Sequence, residues 1–475
     1  MSKILPQIQN IVVVMFENRS LDYFCGWLYS ESSPQPSQYL PAGSPTSYNG
    51  LNPNLWNPSN ASYFKGDPPT RVPVLQGAAN YKIPDPDPQE TFNHVTYQLY
   101  GPEGPSPSPK WPMQGFIVDY KTLDDPPPNP DSIMQTYTPS QVPVLSALAR
   151  GYAISDEWFC SVPTQTLPNR AFVHAGTSNG QVNNGEFPDP FDFDVLSIFN
   201  VLHNRSVRWK VYSDTILTPS LTRTFFPKLW DPIFEDHFQH FGAFEGDCAH
   251  NSLPEYSFIE PSFLFEPNDQ HAPHDVSAGE QFLYRIWKAV SQSPAWNHLL
   301  LVITYDEHGG CYDHVLPAIG AATPDLASDP SGNGFKFDRL GVRVPTVVVS
   351  PYVQAGTVFR SNTSTPYDHT SILSTLRDWL EIPRADMLTS QRIANAPNLD
   401  QVLTLASPRT VTPLIAPPAP ALPTALTLPP NSLQKSLLSG AAHRFGLHPQ
   451  SLLTAMPTRQ HAVDFFQRRA SRAHK

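Results

Sequence analysis

The sequence has few charged residues and no long apolar run. Asp, Glu, Lys and Arg make up 15% of its 475 residues, whereas about a quarter is usual in soluble proteins. No apolar run approaches the ~18 residues of a transmembrane helix. The net charge is −11, and no dense block of Lys and Arg precedes residue 405. These features argue against nucleic acid as the main partner and predict at most peripheral contact with a membrane.

Cysteine is also scarce, with four widely spaced residues: Cys25, Cys160, Cys248 and Cys311. Their spacing gives neither a zinc pattern nor a disulfide framework, so we expect them to pack in the interior. The segment Met1–Pro6 leads within a few residues into the first predicted strand and leaves no room for a cleavable signal peptide. The sequence therefore predicts a cytoplasmic protein or one exported by a non-classical route.

Apolar runs and amphipathic segments alternate along the chain. The predicted strands are Ile11–Met15, Trp209–Tyr212, Tyr256–Ile259, Leu299–Thr304 and Val344–Val349. The predicted helices are Val142–Ala149, Phe193–His203, Ala278–Ser293 and Ser371–Leu380. This alternation predicts an α/β fold, with a doubly wound, mostly parallel central sheet and helices on both faces.

Polar side chains follow two of these strands. Glu17 and Asn18 come after the first, and Asp306 and Glu307 come after the fourth. Ligands in open α/β sheets bind at the carboxyl ends of strands, and buried carboxylates are costly unless a cation binds them. Hard oxygen ligands suit Ca²⁺, Mg²⁺ or Mn²⁺. The sequence predicts one divalent metal ion here. The alternative is that Glu17 and Glu307 cap helices or pair with arginines.

A hydroxyl group precedes a further predicted helix. Thr166 stands just before the helix-like segment Asn169–Ala175, and a helix N-terminus favours an anion such as a phosphoryl group. A threonine hydroxyl is a poor nucleophile unless a base or a metal lowers its pKa. Thr166 is therefore a candidate nucleophile that also binds the predicted metal. The alternative is an ordinary turn or capping residue.

Seven segments, in order along the chain, together resemble one enzyme family. They are Glu17–Asp22, Thr166–Arg170, Pro254–Pro261, His271–Val276, Tyr305–Val315, Phe337–Pro345 and Tyr367–Ser371. The chain resembles the bacterial phospholipase C and acid phosphatase family of phosphoesterases. That family includes the plant non-specific phospholipases C and is a branch of the alkaline phosphatase superfamily. The resemblance implies an alkaline-phosphatase-like fold and a hydrolase that acts on phosphoric esters.

The resemblance also implies a role for individual residues. The residues that match the metal ligands of the family are Glu17, Asn18, Thr166, Asp306 and Glu307, with Thr166 as the nucleophile. His271 and His274 match histidines that contact the phosphoryl group or protonate the leaving group. His314 matches a further candidate catalytic histidine, and His369 matches a candidate substrate-binding one.

One segment departs from the family pattern. Many relatives carry a histidine two residues after an Asp-Pro pair, whereas here the pair Asp87-Pro88 is followed by Glu90 at that position. A carboxylate donates no hydrogen bond unless it is protonated. Either Glu90 binds a metal, or His94 takes the place of the missing histidine. Both residues are candidates for substrate binding.

The chain divides into three parts. Residues 1–405 are predicted to form the phosphoesterase catalytic domain, in which residues from about 29 to 135 form a loop-rich insertion that walls the cleft. Residues 406–431 are rich in proline and predict an extended linker. Residues 432–475 are predicted to form a helical appendage, with helices over Leu433–Phe445 and Pro449–Arg472. We expect it to dock on the catalytic domain, and the alternative is a membrane-surface tail.

The predicted function is metal-dependent hydrolysis of phosphoric esters. The leading hypothesis is a phospholipase C that cleaves phosphatidylcholine-like diesters through a phosphothreonine intermediate on Thr166. An acid phosphatase that acts on monoesters is the alternative. A binding protein on an inactive scaffold is a third, against which the intact set of metal ligands argues. The expected partner is a phospholipid or a small phosphate ester.

Overall fold

The computed structural model describes residues 4–30, 33–184, 193–215, 219–329, 334–411, 413–420 and 426–473. The strands within these ranges are β1 (Asn10–Phe16), β2 (Gln38–Leu40), β3 (Trp56–Pro58), β4 (Arg71–Pro73), β5 (Leu75–Gln76), β6 (Gln135–Thr136), β7 (Ala153–Ser155), β8 (Trp209–Ser213), β9 (Phe238–His240), β10 (Tyr256–Glu260), β11 (Leu299–Tyr305), β12 (Thr346–Val349) and β13 (Thr357–Phe359).

The α-helices within the same ranges are α1 (Leu21–Cys25), α2 (Phe92–Tyr100), α3 (Phe116–Tyr120), α4 (Pro143–Gly151), α5 (Thr166–Ala175), α6 (Ile198–Asn204), α7 (Leu221–Phe225), α8 (Phe241–Ala249), α9 (Val276–Gln292), α10 (Thr370–Trp379), α11 (Gln391–Asn395), α12 (Ser432–Arg444), α13 (Pro449–Ala455) and α14 (Arg459–Ala473). None of these described helices is long and apolar enough to cross a bilayer.

In the described part of the chain, nine strands form the central sheet, in the order β2-β13-β7-β12-β11-β1-β10-β8-β9. All neighbouring pairs run parallel except those that β12 makes with β11 and β7. Strands β1 and β11 are apolar along most of their length and wholly buried, as expected where both faces of a parallel sheet are covered. The predicted α/β class with a mostly parallel sheet is confirmed.

The register of the sheet places the ends of two strands side by side. Phe16, the last residue of β1, lies opposite Tyr305, the last residue of β11. On the other side of β1, Val14 lies opposite Ile259 of β10. Because these strands are parallel, the segments that leave their carboxyl ends emerge at one edge of the sheet. The candidate ligands and the loop that carries His271 therefore start from neighbouring points.

Several predicted boundaries differ from the observed ones for local reasons. The helix predicted over Phe193–His203 begins at Ile198, because Ser197 and Asn200 form a capping box. Strand β12 begins at Thr346 and runs antiparallel to its neighbours; it follows Pro345, which has no N–H for a sheet ladder. The helix predicted over Pro449–Arg472 is two helices separated at Pro457.

An apolar cluster joins the insertion to the rest of the molecule. It contains Leu99 of α2 and Phe116 of α3, together with Tyr312 from outside the insertion. A smaller cluster contains Phe64, whose ring lies 5.4 Å from that of Trp111 in an edge-to-face arrangement. These aromatic side chains therefore hold the insertion together.

The appendage packs on the rest of the molecule. Leu433 and Leu437 of α12 join the main core. Leu438 and Ala441 of the same helix pack with α13, with α14 and with Leu264, which belongs to the loop after β10. The appendage is thus in contact with a loop that leaves the carboxyl edge of the sheet.

Candidate active site

The two strand ends bring their polar residues into direct contact. The side chains of Glu17, Asn18, Asp306 and Glu307 are fully buried, and the Asn18 N–H donates to Asp306 Oδ1 at 2.9 Å. Asn18 has a left-handed backbone, with φ of 53°, a conformation that Asn tolerates better than most residues. Gly309 is also left-handed, and a Cβ there would lie 2.5 Å from the Asn18 carbonyl oxygen. Glycine is therefore required for the close approach of the two turns.

Thr166 meets this cluster from a third segment. It is the first residue of α5, so the helix begins three residues earlier than predicted. Its hydroxyl donates to Glu17 Oε2 at 3.1 Å and lies 3.5 Å from Asn18 Oδ1. The loop before it is held by Asn169, whose amide donates to the carbonyls of Val162 and Thr164 at 3.1 and 2.9 Å. The structure brings the candidate nucleophile onto two of the predicted ligands.

Arg170 is a site residue to which the sequence analysis gave no role. Its Nε donates to Glu17 Oε1 at 2.9 Å, and its Nη2 pairs with the same oxygen. Burial raises the pKa of Glu17 well above its usual value, and the charge of Arg170 opposes that rise. The signal was present in the sequence, since residues four apart on a helix share a face and Arg170 is four residues after Thr166. The expected pairing of Glu17 with an arginine therefore holds for one of its two oxygens.

Two carboxylate oxygens of the cluster are left without a partner. Asp306 Oδ2 and Glu307 Oε1 are buried and make no hydrogen bond with any residue the structure describes. The other oxygen of Glu307 accepts the Gly309 N–H at 2.7 Å. Burial, then the charges of Glu90 and Asp306, raises the pKa of Glu307 well above its usual value. Because unpaired buried carboxylates are costly, this donor set fits a divalent cation with oxygen ligands.

Glu90 and His94, the two residues at the departure from the family pattern, point to different partners. Glu90 is buried and accepts the Asn18 Nδ2–H at 2.6 Å. His94 lies on α2, where its Nδ1 is 2.8 Å from Asp119 Oδ1, and that hydrogen bond raises the pKa of His94. Glu90 therefore lies against the carboxylate cluster, whereas His94 is tied to α3.

The loop after β10 contains two buried histidines that both contact the carboxylate of Asp269. Asp269 Oδ1 accepts the His271 backbone N–H at 3.0 Å and lies 2.6 Å from His274 Nδ1. His271 Nδ1 donates to the Ala272 carbonyl at 2.6 Å. The Nε2 atoms of both imidazoles are buried and have no hydrogen-bond partner among the described residues. Burial lowers the pKa of His271 to about 4, so this imidazole is neutral and presents a lone pair at Nε2. The contact of His274 Nδ1 with Asp269 fixes the orientation of the His274 ring.

His369 supports the cluster from behind. Its Nε2 donates to the Asp306 carbonyl at 2.6 Å, and its Nδ1 is 3.4 Å from the indole nitrogen of Trp158. Burial lowers the pKa of His369. Both ring nitrogens are engaged, Nε2 by the Asp306 carbonyl and Nδ1 by Trp158, so the role that this geometry supports is positioning. A substrate-binding role for His369 stays a prediction.

His314 belongs to a second, ionic cluster. Its Nδ1 lies 2.6 Å from Asp22 Oδ2 and its Nε2 lies 3.0 Å from Asn49 Oδ1. Arg343, fully buried, donates to Asp22 Oδ1 at 2.9 Å and to Asp313 Oδ1 at 3.1 Å. No contact between described residues joins His314 to Thr166. The predicted catalytic role of His314 is therefore not one that this geometry supports, and it stays a prediction.

His308 is a further buried residue that the sequence analysis did not single out. Its Nε2 lies 2.8 Å from Gln98 Oε1, and its Nδ1 lies 3.3 Å from Glu307 Oε2. Burial lowers the pKa of His308 to about 3, so it is neutral beside the carboxylate. Its hydrogen bond is with Gln98 of α2, and its Nδ1 makes no hydrogen bond with a described residue.

The chain is similar to known proteins over most of its length. Residues 8–383 match the model of the Phosphoesterase family. The chain is 34% identical over 419 residues to non-specific phospholipase C6 of Arabidopsis thaliana, a match that covers 86% of this chain and 75% of that protein. It is 27% identical over 452 residues to phospholipase C B of Mycobacterium tuberculosis, covering 85% and 79%.

Similar solved structures are more distant. The lipoteichoic acid synthase LtaP from Listeria monocytogenes is 13% identical, with a TM-score of 0.34, and covers 54% of this chain and 70% of that one. A protein of the alkaline phosphatase superfamily from Vibrio parahaemolyticus is 10% identical, with a TM-score of 0.31, and covers 55% and 67%. The family match spans most of the chain, including the segments that supply the cluster around Thr166. The chain therefore belongs to the Phosphoesterase family and is a hydrolase that acts on phosphoric ester bonds.

Proposed function

We propose that this protein is a metal-dependent phosphoesterase of phospholipase C type, with Thr166 as its nucleophile. The observation that carries the proposal is the hydrogen bond that the Thr166 hydroxyl donates to Glu17. Asp306 and Glu307, which follow the neighbouring strand, each have a buried oxygen without a partner among the described residues. The names of the plant and mycobacterial relatives support phospholipase C as the type. An acid phosphatase that uses the same residues is the second candidate.

The residues that would hold the metal are Glu17, Asn18, Thr166, Asp306 and Glu307. When bound, a divalent cation supplies electrophilic stabilisation of phosphoryl oxygens and lowers the pKa of a hydroxyl group that it contacts. Asp306 Oδ2 and Glu307 Oε1, which accept no hydrogen bond from a described residue, would supply two of its oxygen ligands. The metal is expected to be Ca²⁺, Mg²⁺ or Mn²⁺, because the ligands are hard oxygens.

The covalent step follows from the contacts of Thr166. Its hydroxyl proton leaves along the hydrogen bond to Glu17 Oε2, and the oxygen attacks phosphorus in line with the leaving alcohol. The bond from phosphorus to the diacylglycerol oxygen breaks as the bond to Thr166 forms. His274, backed by Asp269, gives a proton to the leaving oxygen. The head group is then held as a phosphate ester on Thr166.

Hydrolysis of this ester reverses the proton transfers. His274, now neutral, takes a proton from a water molecule that attacks phosphorus. The bond between phosphorus and the Thr166 oxygen breaks, and that oxygen recovers its proton from Glu17. The products are diacylglycerol and a phosphorylated head group. The neutral Nε2 of His271 is available to accept a hydrogen bond from the water or from the head group.

Glu90 favours diesters over monoesters. Its carboxylate lies against Asn18 and adds negative charge near the proposed position of the phosphoryl group. Coulomb repulsion grows with the charge of the ligand, so a dianionic monoester is disfavoured more than a monoanionic diester. This is the physical reason for ranking phospholipase C above phosphatase.

A product assay on the purified protein tests the proposal. Phosphatidylcholine, p-nitrophenylphosphorylcholine and p-nitrophenyl phosphate are offered side by side, before and after EDTA treatment and after return of Ca²⁺, Mg²⁺ or Mn²⁺. We expect diacylglycerol and phosphocholine from the lipid, loss of turnover with EDTA and recovery with one metal. Turnover that EDTA leaves unchanged contradicts the metal dependence, and turnover of the monoester alone favours the phosphatase.

A further inference from the structure

Asp87, Glu90 and His271 bring potential metal ligands together next to the carboxylates around Thr166. One ligand atom from each of the three residues lies within 4.8 Å of the other two. Asp87 and Glu90 belong to the insertion, whereas His271 comes from the loop after β10. Glu90 also accepts the Asn18 Nδ2–H at 2.6 Å. These three residues, which we call the Asp87 cluster, therefore adjoin the first metal site without sharing its ligands.

Two atoms of the Asp87 cluster have no hydrogen-bond partner among the described residues. They are Asp87 Oδ1, a buried atom, and Nε2 of the fully buried His271. His271 Nδ1 lies 3.7 Å from Asp87 Oδ1, too far for a hydrogen bond, and donates to the Ala272 carbonyl instead. A carboxylate oxygen and an imidazole lone pair are therefore both available to a ligand.

The charge of the Asp87 cluster is not taken up by a side-chain ion pair. Among the residues that the structure describes, the ion-pair contact of Asp87 is with His271 and not with a lysine or an arginine. The nearby guanidinium of Arg19 donates its Nε and Nη1 hydrogens to two backbone carbonyls. Burial, then the charge of Glu90, raises the pKa of Asp87 well above its usual value, and the charge of Arg19 opposes that rise. The two carboxylates therefore repel each other, which a cation between them would relieve.

The donor set indicates which cation fits. The first site offers oxygen ligands only, which suit Ca²⁺, Mg²⁺ or Mn²⁺. The Asp87 cluster offers two carboxylates and one imidazole, and imidazole nitrogen suits Zn²⁺ better than Mg²⁺ or Ca²⁺. Three protein ligands with an open fourth position are a common arrangement for Zn²⁺.

We propose that Asp87, Glu90 and His271 form a second cation site, selective for Zn²⁺ over Mg²⁺ and Ca²⁺, whose occupancy shifts the substrate preference of the enzyme. Binding of the cation does not depend on the reaction at Thr166, whereas the shift in preference rests on the proposed function.

The shift in preference follows from the charge of Glu90. Without a cation, this carboxylate disfavours a dianionic monoester more than a monoanionic diester. A divalent cation held by Asp87 and Glu90 offsets both of their negative charges, so the dianionic monoester gains more than the diester does. The preference for diesters therefore belongs to the enzyme with only its first site filled, and Zn²⁺ in the second site brings monoesters into the range of substrates.

A count of bound metal tests the second site without reference to turnover. The full chain is stripped with EDTA and dialysed against micromolar Zn²⁺, and the Zn²⁺ retained per chain is measured by mass spectrometry of the elements. We expect Asp87→Asn and Glu90→Gln each to retain one ion fewer than the wild type. Asp85→Asn is the matched control, because it removes an exposed aspartate from the same loop, and it should retain as many ions as the wild type. With Mg²⁺ in place of Zn²⁺, all four proteins should retain the same number.

Two results of this count would overturn the second site. One is an equal Zn²⁺ count in the wild type and in Asp87→Asn. The other is the loss of an ion in Glu90→Gln but not in Asp87→Asn, because Glu90 would then be a ligand of the first metal. Circular dichroism of the metal-free variants shows whether they are folded, and His271→Gln, which should lose the same ion, replaces any variant that is not.

Steady-state kinetics test the effect on preference. Zn²⁺ is added to enzyme that is kept in excess Mg²⁺, so that the first site stays filled. In the wild type and in Asp85→Asn, the ratio of kcat/KM for p-nitrophenylphosphorylcholine to that for p-nitrophenyl phosphate should fall about tenfold. In Asp87→Asn the same addition should leave the ratio unchanged. A ratio that Zn²⁺ does not shift in the wild type, or shifts equally in Asp87→Asn, overturns the effect on preference.

The two experiments separate this inference from the proposed function. If the wild type turns over none of the esters, the proposed function fails, and the difference in Zn²⁺ count between the wild type and Asp87→Asn still decides the second site. If the esters are turned over but the counts are equal, the proposed function stands and the second site is overturned.

Discussion

Two clusters of carboxylates are formed by the segments that follow β1 and β11. They differ in how their oxygens are hydrogen-bonded. In the cluster around Thr166, Asp306 Oδ2 and Glu307 Oε1 have no partner among the described residues. In the second cluster, Asp22 and Asp313 share the buried guanidinium of Arg343. By the closeness of its ligand atoms alone, the second cluster would suggest a metal site. Of these two clusters, and among the described residues, only the first contains buried carboxylate oxygens that accept no hydrogen bond.

The comparison teaches that proximity of acidic groups is a weak indicator of a metal site. Asp22, Asp313 and His314 bring ligand atoms within 4.8 Å of one another, yet Arg343 already occupies the position of the cation. Burial raises the pKa of Asp22, but His314 and Arg343 outweigh it and lower that pKa overall. Unpaired buried oxygens are the better criterion, since they identify charge that requires an external partner.

The largest effect is expected at the nucleophile of the unpaired cluster. Thr166→Ala removes the attacking oxygen, so kcat should fall by at least about 10³-fold. Thr166→Ser keeps a hydroxyl and should retain measurable turnover. Circular dichroism and the thermal midpoint serve as controls for folding. Turnover of Thr166→Ala within tenfold of the wild type would remove Thr166 from the mechanism.

The second prediction compares the replacement of one carboxylate by an amide in each cluster. Asp306→Asn should weaken binding of the activating metal by about 100-fold or more, because even indirect partners of ligands are worth about 10- to 100-fold. Asp313→Asn should leave metal affinity unchanged. It should lower the free energy of unfolding by about 3 kcal/mol, because it breaks a buried ion pair.

Isothermal titration with Ca²⁺, Mg²⁺ and Mn²⁺, together with urea unfolding, measures both quantities of this second prediction. A metal affinity that depends on Asp313 as strongly as on Asp306 would erase the distinction between the clusters.

A third prediction concerns the negative charge that Glu90 adds to the first cluster. Glu90→His removes that charge, so the ratio of kcat/KM for p-nitrophenylphosphorylcholine to that for p-nitrophenyl phosphate should fall about tenfold. Glu90→Gln, which keeps the shape and loses the charge, is the matched control and should shift the ratio in the same direction. An unchanged ratio in both variants means that Glu90 does not set the preference for diesters.

The smallest expected effect is on the pH dependence of stability in the second cluster. Burial acts to lower the pKa of His314, but Asp22 outweighs it, so the folded pKa lies above the unfolded one. A raised histidine pKa stabilises the fold fully below the unfolded pKa of about 6.5 and loses that contribution as pH rises through the folded value. His314→Gln should therefore cost about 1 kcal/mol more near pH 6 than near pH 9.

Urea unfolding of the wild type and of His314→Gln at the two pH values gives the difference directly. A cost that does not depend on pH would show that His314 is not protonated in the folded protein. The kcat of the variant should stay close to that of the wild type, since its contacts lie in the second cluster.

The central part of the site could be predicted from the sequence, because adjacent parallel strands end at the same edge of the sheet. Glu17 and Asp306 follow apolar runs, and adjacent parallel strands bring such positions to one edge. The position of Arg170 in the site could be predicted, because it lies four residues after Thr166 on the same helix. For these residues the local sequence pattern and the fold class are sufficient to predict that they lie in the site.

Other contacts could not be predicted because they depend on the packing of distant segments. Whether Glu90 or His94 lies at the cluster depends on where α2 begins, and it begins at Phe92, with His94 turned toward α3. His314 and His369 matched the family pattern equally, yet their partners are Asp22 and the Asp306 carbonyl. The contact between Gln434 and Phe263 joins residues 171 positions apart, beyond the reach of any periodic pattern.

The register of β1 beside β11 has a consequence for how the protein is made. Asn18 and Asp306 are 288 residues apart in the chain, and the other partner of β1 is β10. A ribosome that adds about 5–20 residues per second needs roughly 15 to 60 s to synthesise that interval. During this time the apolar strand β1 has emerged without either of its neighbours. A nascent chain that is halted before Tyr256 therefore exposes an unpaired strand edge, which makes it a substrate for chaperones or a seed for aggregation.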